Sequence, residues 1–92
     1  MKARPGDGRL VGMAQYLLHH HHEPDECVAV FASFKGHGSR LRHRPTLASC
    51  RSGGHAIWWT VEAANEQEAL ALLPSFVADR TTATSVSEVQ IP

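Results

Sequence analysis

Seven histidines stand in this chain of 92 residues, four of them consecutive at His19 to His22, with thiols at Cys27 and Cys50 and a further imidazole at His55. Imidazole nitrogen and thiolate sulfur suit zinc, copper or nickel and are poor partners for magnesium or calcium. If the histidine run lies on a strand, alternation puts His20 and His22 on one face and His19 and His21 on the other, so one ion takes one pair. Each of these residues also has a purely structural reading. A cysteine on an amphipathic helix is commonly a packing residue, and His55, which follows Gly53-Gly54, can be a polar strand start. Four histidines in a row match no defined metal motif, so incidental surface affinity is an alternative.

The elements that must position these groups can be read from pattern. Ala14 to His22 (AQYLLHHHH) ends at Glu23-Pro24, too short for a stable helix and suited to a strand. Pro24 at a first helical position, acidic Asp25 and Glu26 behind it and Gly36 at the end frame a helix over 24–35. Its apolar face is expected to carry Cys27, Phe31 and Phe34 at i, i+4 and i+7, flanked by Val28 and Val30. A polar loop follows over 36–45 (GHGSRLRHRP) and holds the basic cluster Arg40, Arg42 and Arg44, open to solvent or to an anion. Thr46 to Arg51 reads as a short strand, Ser52-Gly53-Gly54 as a hairpin turn, and His55 to Glu62 (HAIWWTVE) as the strongest strand in the chain. Asn65, with Glu68 three residues on, starts a second helix that Pro74 should kink or divide near Leu73. Thr81 to Ile91 supplies a last strand, expected around Ser85 to Gln90, with an exposed start.

The order β, α, β, β, α, β in under 100 residues predicts an α+β, ferredoxin-like βαββαβ fold. Its antiparallel sheet would have the order 4-1-3-2, with both helices on one face. Residues 1–12 are expected to be a flexible N-terminal extension and 13–92 the single domain. Both sheet faces have apolar content: Ile57, Trp59 and Val61 on one side of their strand, Trp58 on the other. A homodimer packing sheet against sheet would cover the second face, and burial of Trp58 there would contribute roughly 2 to 3 kcal/mol per subunit.

This topology brings four chain segments to one end of the sheet: the end of the first strand, the start of the first helix, the end of the second strand and the start of the third. His20, His22, Cys27 and His55 are expected to converge there. Cys50 joins them if it lies on the helix-facing side of its strand, which alternation leaves open. Such a site needs neutral imidazoles and deprotonated thiols, so it should weaken as pH falls through the imidazole range.

Composition removes other classes. Nine Lys and Arg balance nine Asp and Glu, so no global field draws the chain to nucleic acid or anionic lipid. No apolar run approaches the roughly 20 residues of a membrane span, and no signal-peptide pattern opens the chain, so it reads as cytoplasmic. A sheet-borne RNA site would need more than Trp58 and has no RNP1 pattern. Cys27 near a helix start could act as a nucleophile with a histidine base, or pair with Cys50 as a redox sensor. No P-loop, Rossmann fingerprint or nucleophile elbow accompanies it, and whether the chain is an enzyme is left open.

The segments YLLHHHHEPDEC (Tyr16 to Cys27), CRSGGHAIWW (Cys50 to Trp59) and LLPSFVADRTTATSVSEV (Leu72 to Val89) resemble small stand-alone ferredoxin-like proteins of the dimeric α+β-barrel group. Most of these have no assigned function and some bind nickel. The resemblance spans Ala14 to Ile91 and implies a homodimer and nickel as the first ion to test. It also implies an alternative, an enzyme or small-molecule-binding protein with a pocket between sheet and helices. The sequence reading is thus a transition-metal-binding protein, with a metal-responsive role open to it and with His20, His22, Cys27, Cys50 and His55 as candidate ligands.

Overall fold

The computed structural model describes residues 12–92, so the expected extension over 1–12 lies almost wholly outside the described residues. Four strands form one antiparallel sheet: β1 (Ala14–His21), β2 (Leu47–Ala48), β3 (Ala56–Ala63) and β4 (Thr81–Val86). Three short helices accompany them, α1 (Cys27–Ala32), α2 (Glu66–Leu70) and α3 (Ser75–Ala78), with 3-10 turns over Pro24–Glu26 and Cys50–Ser52. The strand order is β2-β3-β1-β4. Counted from the β4 edge, the same sheet reads 4-1-3-2.

β1 and β3 form the central pair, in a register that sets Tyr16 opposite Val61, Leu18 opposite Trp59 and His20 opposite Ile57. Because strand side chains alternate, this register gathers the inward residues of both strands onto one face. That face carries the core: Leu18, Ile57, Trp59 and Val61 from the strands, Val30 from α1, and Ala69, Leu73 and Val77 from the α2–α3 region. His20 and His22 are buried in line with Leu18, whereas His19 and His21 are exposed on the opposite face. On that outer face the ring of His19 stacks on Trp58 with centroids 5.3 Å apart.

Four expectations need correction. The first helix does not run over 24–35: its first turn is 3-10, and the α-helical part stops at Ala32. Its inward stripe is Cys27, Val30 and Phe34, not Cys27, Phe31 and Phe34. Val30 is fully buried while Phe31 is 54% exposed, because α1 turns to the sheet the side that carries Val30 and Phe34, four residues apart, and Phe31 lies off it. The expected strand over Thr46 to Arg51 pairs with β3 only through Leu47 and Ala48, after which the chain coils into the turn that holds Cys50. The last strand lies within Thr81 to Ile91 but occupies its first part, Thr81–Val86, where a threonine-rich run pairs with β1, and not Ser85 to Gln90.

Two local features fit the sequence signals. Asn65 caps α2, its Oδ1 accepting from the Glu68 amide at 2.8 Å, and Pro74, which cannot donate a helical hydrogen bond, separates α2 from α3. None of the helices among the described residues is long and apolar enough to cross a membrane.

Candidate metal centre

Four segments meet at the edge of the sheet where β1 ends and β3 begins. The His22 amide donates to the His55 carbonyl at 2.9 Å, continuing the β1–β3 ladder one pair beyond the strands and setting these two histidines side by side. Their rings meet edge to face, with centroids 5.4 Å apart. Cys27 enters from the first residue of α1. This helix start is held from two sides: the Glu23 amide donates to Glu26 Oε1 at 3.0 Å, and Arg80 clamps the Glu26 carboxylate with its Nη2 2.9 Å from Oε2. Arg80 holds the Glu26 carboxyl below its ordinary range and also lies over the Phe76 ring. Cys50 enters from the 3-10 turn, which Gly53 ends in the left-handed conformation (φ 90°). Around that turn the Ser49 hydroxyl accepts from the Ala56 amide at 3.1 Å, and Gly54 lies so close that an added Cβ would stand 2.5 Å from Ser49 Oγ. A side chain at position 54 would therefore disturb the turn that presents Cys50.

The four side chains offer ligand atoms that all lie within 4.8 Å of one another. His22 Nε2 is 3.3 Å from Cys27 Sγ and 3.7 Å from Cys50 Sγ, and His55 Nδ1 is 3.2 Å from Cys27 Sγ. A tetrahedral ion with ordinary zinc–sulfur and zinc–nitrogen bond lengths spaces its ligand atoms by about 3.3 to 3.8 Å. The three nitrogen–sulfur separations, 3.2 to 3.7 Å, lie close to that range. This two-histidine, two-cysteine group is thus placed to bind a transition metal.

Of the five residues read from sequence as ligands, the structure brings together His22, Cys27, Cys50 and His55 and sets His20 one step behind them. His20 is fully buried, and its Nε2 lies 2.9 Å from His22 Nδ1. Its Nδ1 faces the Val77 carbonyl at 3.3 Å and the Thr81 hydroxyl at 3.2 Å. The protons on this chain can be assigned from donor and acceptor inventory. Val77 O can only accept, and Thr81 already donates to it at 2.6 Å, so His20 Nδ1 carries the proton. His20 Nε2 is then an acceptor and takes the proton of His22 Nδ1, which leaves the lone pair of His22 on Nε2, aimed at the two sulfurs. His20 stands outside the group of four and is hydrogen-bonded to one of its members, the arrangement that typically fixes the tautomer and raises the basicity of a metal-binding imidazole.

No protein-family model, curated protein or solved structure matches this chain.

Burial is the first cause that lowers the basicity of both His20 and His22, so both favour the neutral form that a ligand chain requires. For His22 the neighbouring His55 adds to the effect. Burial pushes the Cys27 thiol up, with Cys50 beside it acting in the same direction, so without an ion the thiol keeps its proton and metal binding must release it.

Two predictions arise here. Replacing His20 by leucine keeps the volume and removes the acceptor for His22 Nδ1; metal affinity should fall by roughly 10- to 100-fold, with stoichiometry retained, as for other partners of metal-bound histidines. Competition against a chromophoric chelator measures this, and complete loss of binding in a folded variant would make His20 a ligand. The second concerns the metal-free protein. A histidine whose folded pKa lies below its unfolded value of about 6.5 binds fewer protons in the native state, so stability is complete above that pH and falls as pH drops through it toward the lowered folded values. The midpoint of thermal unfolding should decline below about pH 6.5, and the decline should shrink in His20→Leu. An unchanged slope in that variant would remove His20 from the account.

Proposed function

We propose that the protein binds one transition-metal ion per chain through His22 Nε2, His55 Nδ1 and the thiolates of Cys27 and Cys50, and that ion occupancy governs the order of the sheet edge where the four segments meet. The observation that carries this reading is the mutual approach of four ligand atoms from four separate segments, backed by a hydrogen-bonded histidine that fixes the tautomer of one of them. Three nitrogen–sulfur separations close to tetrahedral spacing favour zinc. Nickel, the ion implied by the resemblance to small ferredoxin-like proteins, and copper take the same donors in flatter arrangements. Exposed Leu47 and half-buried Trp58 lie opposite one another in the sheet register, with Leu17 on the same outer face. This face supports packing against a second copy, a dimer in which each chain keeps its own metal site.

The test is elemental analysis of the untagged chain purified without an immobilised-metal column, followed by titration of the chelator-treated protein with zinc, nickel and copper. About one tightly held ion per chain is expected, and cobalt substitution should give the intense thiolate charge-transfer bands of a sulfur-ligated site. An ion held without any thiolate band would place it elsewhere on the molecule.

A further inference from the structure

A groove of about 420 Å³ runs between α1, the loop over 36–45 and the β2–β3 edge. Its floor is apolar and in part deeply buried: Trp59 and Ile57 rise from the sheet, with Phe34 and the half-exposed Phe31 from the α1 side. Its rim is cationic, formed by Lys35, Arg42 and Arg44. Among the described residues no aspartate or glutamate lines it. Among the described residues no carboxylate lies within ion-pairing distance of these three cations. Arg40 of the same loop differs, since its Nη2 donates to the Glu62 carbonyl at 2.9 Å and anchors the loop to β3. One arginine thus has a structural task, while Arg42 and Arg44 are held at the mouth of a hydrophobic groove without one. His43, between them, has φ 62°, a left-handed conformation uncommon for a residue other than glycine. Backbone held in such a region is characteristic of ligand clamps.

We infer that this groove binds a small amphipathic organic anion, with an apolar body on Trp59, Ile57 and Phe34 and a single anionic head at Arg42 and Arg44. The volume lies within the range of small-molecule sites, and apolar walls with a few convergent polar groups are their usual composition. The two parts of the site have different jobs. The floor supplies affinity by removing apolar area from water. The guanidinium forks select a planar, charged head and orient it. A bare inorganic anion would gain nothing from the floor, and an uncharged apolar molecule would leave the rim unanswered. The groove shares no residue with the group His22, Cys27, Cys50 and His55.

Octanoate, octan-1-ol and acetate separate these contributions, as body with head, body alone and head alone. Each is titrated into the purified full chain while the indole N–H resonance of Trp59 is followed, assigned with a Trp58→Phe variant. Octanoate should shift it saturably with one site per chain, at least about tenfold more tightly than either of the other two. The Arg42→Ala, Arg44→Ala double variant should bind octanoate at least about tenfold more weakly, down to the level of octanol. Its unchanged melting temperature and metal content show that the fold is intact. Equal binding of octanol, equal binding of acetate, or octanoate affinity that is unchanged in the double variant would each overturn the proposal. Failure of octanoate to saturate by about 10 mM would do the same. A chain that binds octanoate yet holds no metal would sink the metal reading and leave this one standing.

Discussion

Serine at both Cys27 and Cys50 is expected to abolish stoichiometric metal binding, weakening it by about a thousandfold or more. A structural zinc site of four ligands holds its ion with roughly 10 to 16 kcal/mol near neutral pH. Removing both thiolates takes away the two anionic donors and leaves a histidine pair, so a loss of at least about 4 kcal/mol, or three orders of magnitude, is a low bound. The single variants should differ. Cys27 Sγ lies within 3.3 Å of nitrogens from both His22 and His55, whereas Cys50 Sγ lies 3.7 Å from His22 Nε2. Cys27→Ser should therefore cost more than Cys50→Ser. Neither cysteine belongs to the buried core, so the double variant should keep its sheet, and circular dichroism establishes that independently of the metal. The exposed pair His19 and His21 gives the control. Alanine at both should leave affinity unchanged, and a double-cysteine variant that still binds one ion tightly while the His19, His21 variant does not would move the site to the outer face of the sheet.

The route from sequence to this site succeeded where strand alternation applied and failed where it did not. In β1 the period of two separates His20 and His22 from His19 and His21, and burial of the first pair with exposure of the second follows it. In β3 the same rule puts Ile57, Trp59 and Val61 inward. Cys50 lay beyond that rule because it does not sit on a strand. The pairing stops at Ala48, and the direction of the Cys50 thiol is set by a 3-10 turn whose geometry depends on Ser49, Gly53 and the close approach of Gly54. The Gly-Gly pair marked a turn but could not say how far it reached back.

His20 stands outside the group of four for a different reason. A strand of alternating histidines presents two imidazoles to one side, and sequence cannot say which is nearer the other ligands. Depth along the strand decides it. His20 lies opposite Ile57 and within reach of Val77 and Thr81, inside the core, while His22 lies past the last strand pair, beside His55. The partners that fix its tautomer come from the α3–β4 corner, more than fifty residues away, and a backbone carbonyl leaves no trace in a side-chain pattern. Arg80 and Glu26 were invisible likewise, because the pairing that secures the start of α1 spans 54 positions.

Metal loading should raise the thermal midpoint of the protein by roughly 15 to 30 °C. An ion that binds only the folded state stabilises it by about 4 kcal/mol when its free concentration is a thousand times Kd, and in a domain of 60 to 100 residues each kcal/mol moves the midpoint by about 4 to 8 °C. The fold gives reason to expect the full effect. Its helices contain only six, five and four residues, lengths at which isolated helices are unstable in water, so their order depends on packing and on their attachments. The ion would tie α1 and the Cys50 turn to the ends of β1 and β3 at one point, replacing several weak contacts by four coordinate bonds. Unfolding scans with zinc or nickel, and after chelation, measure the shift. It should contract as pH is lowered, because protons then compete with the ion for imidazole and thiolate. Hydrogen exchange should localise the gain to the start of α1 and the turn around Cys50. A shift below about 5 °C at saturating ion would mean that binding scarcely distinguishes the folded chain from the unfolded one, and the four ligand atoms would then be neighbours without forming a site.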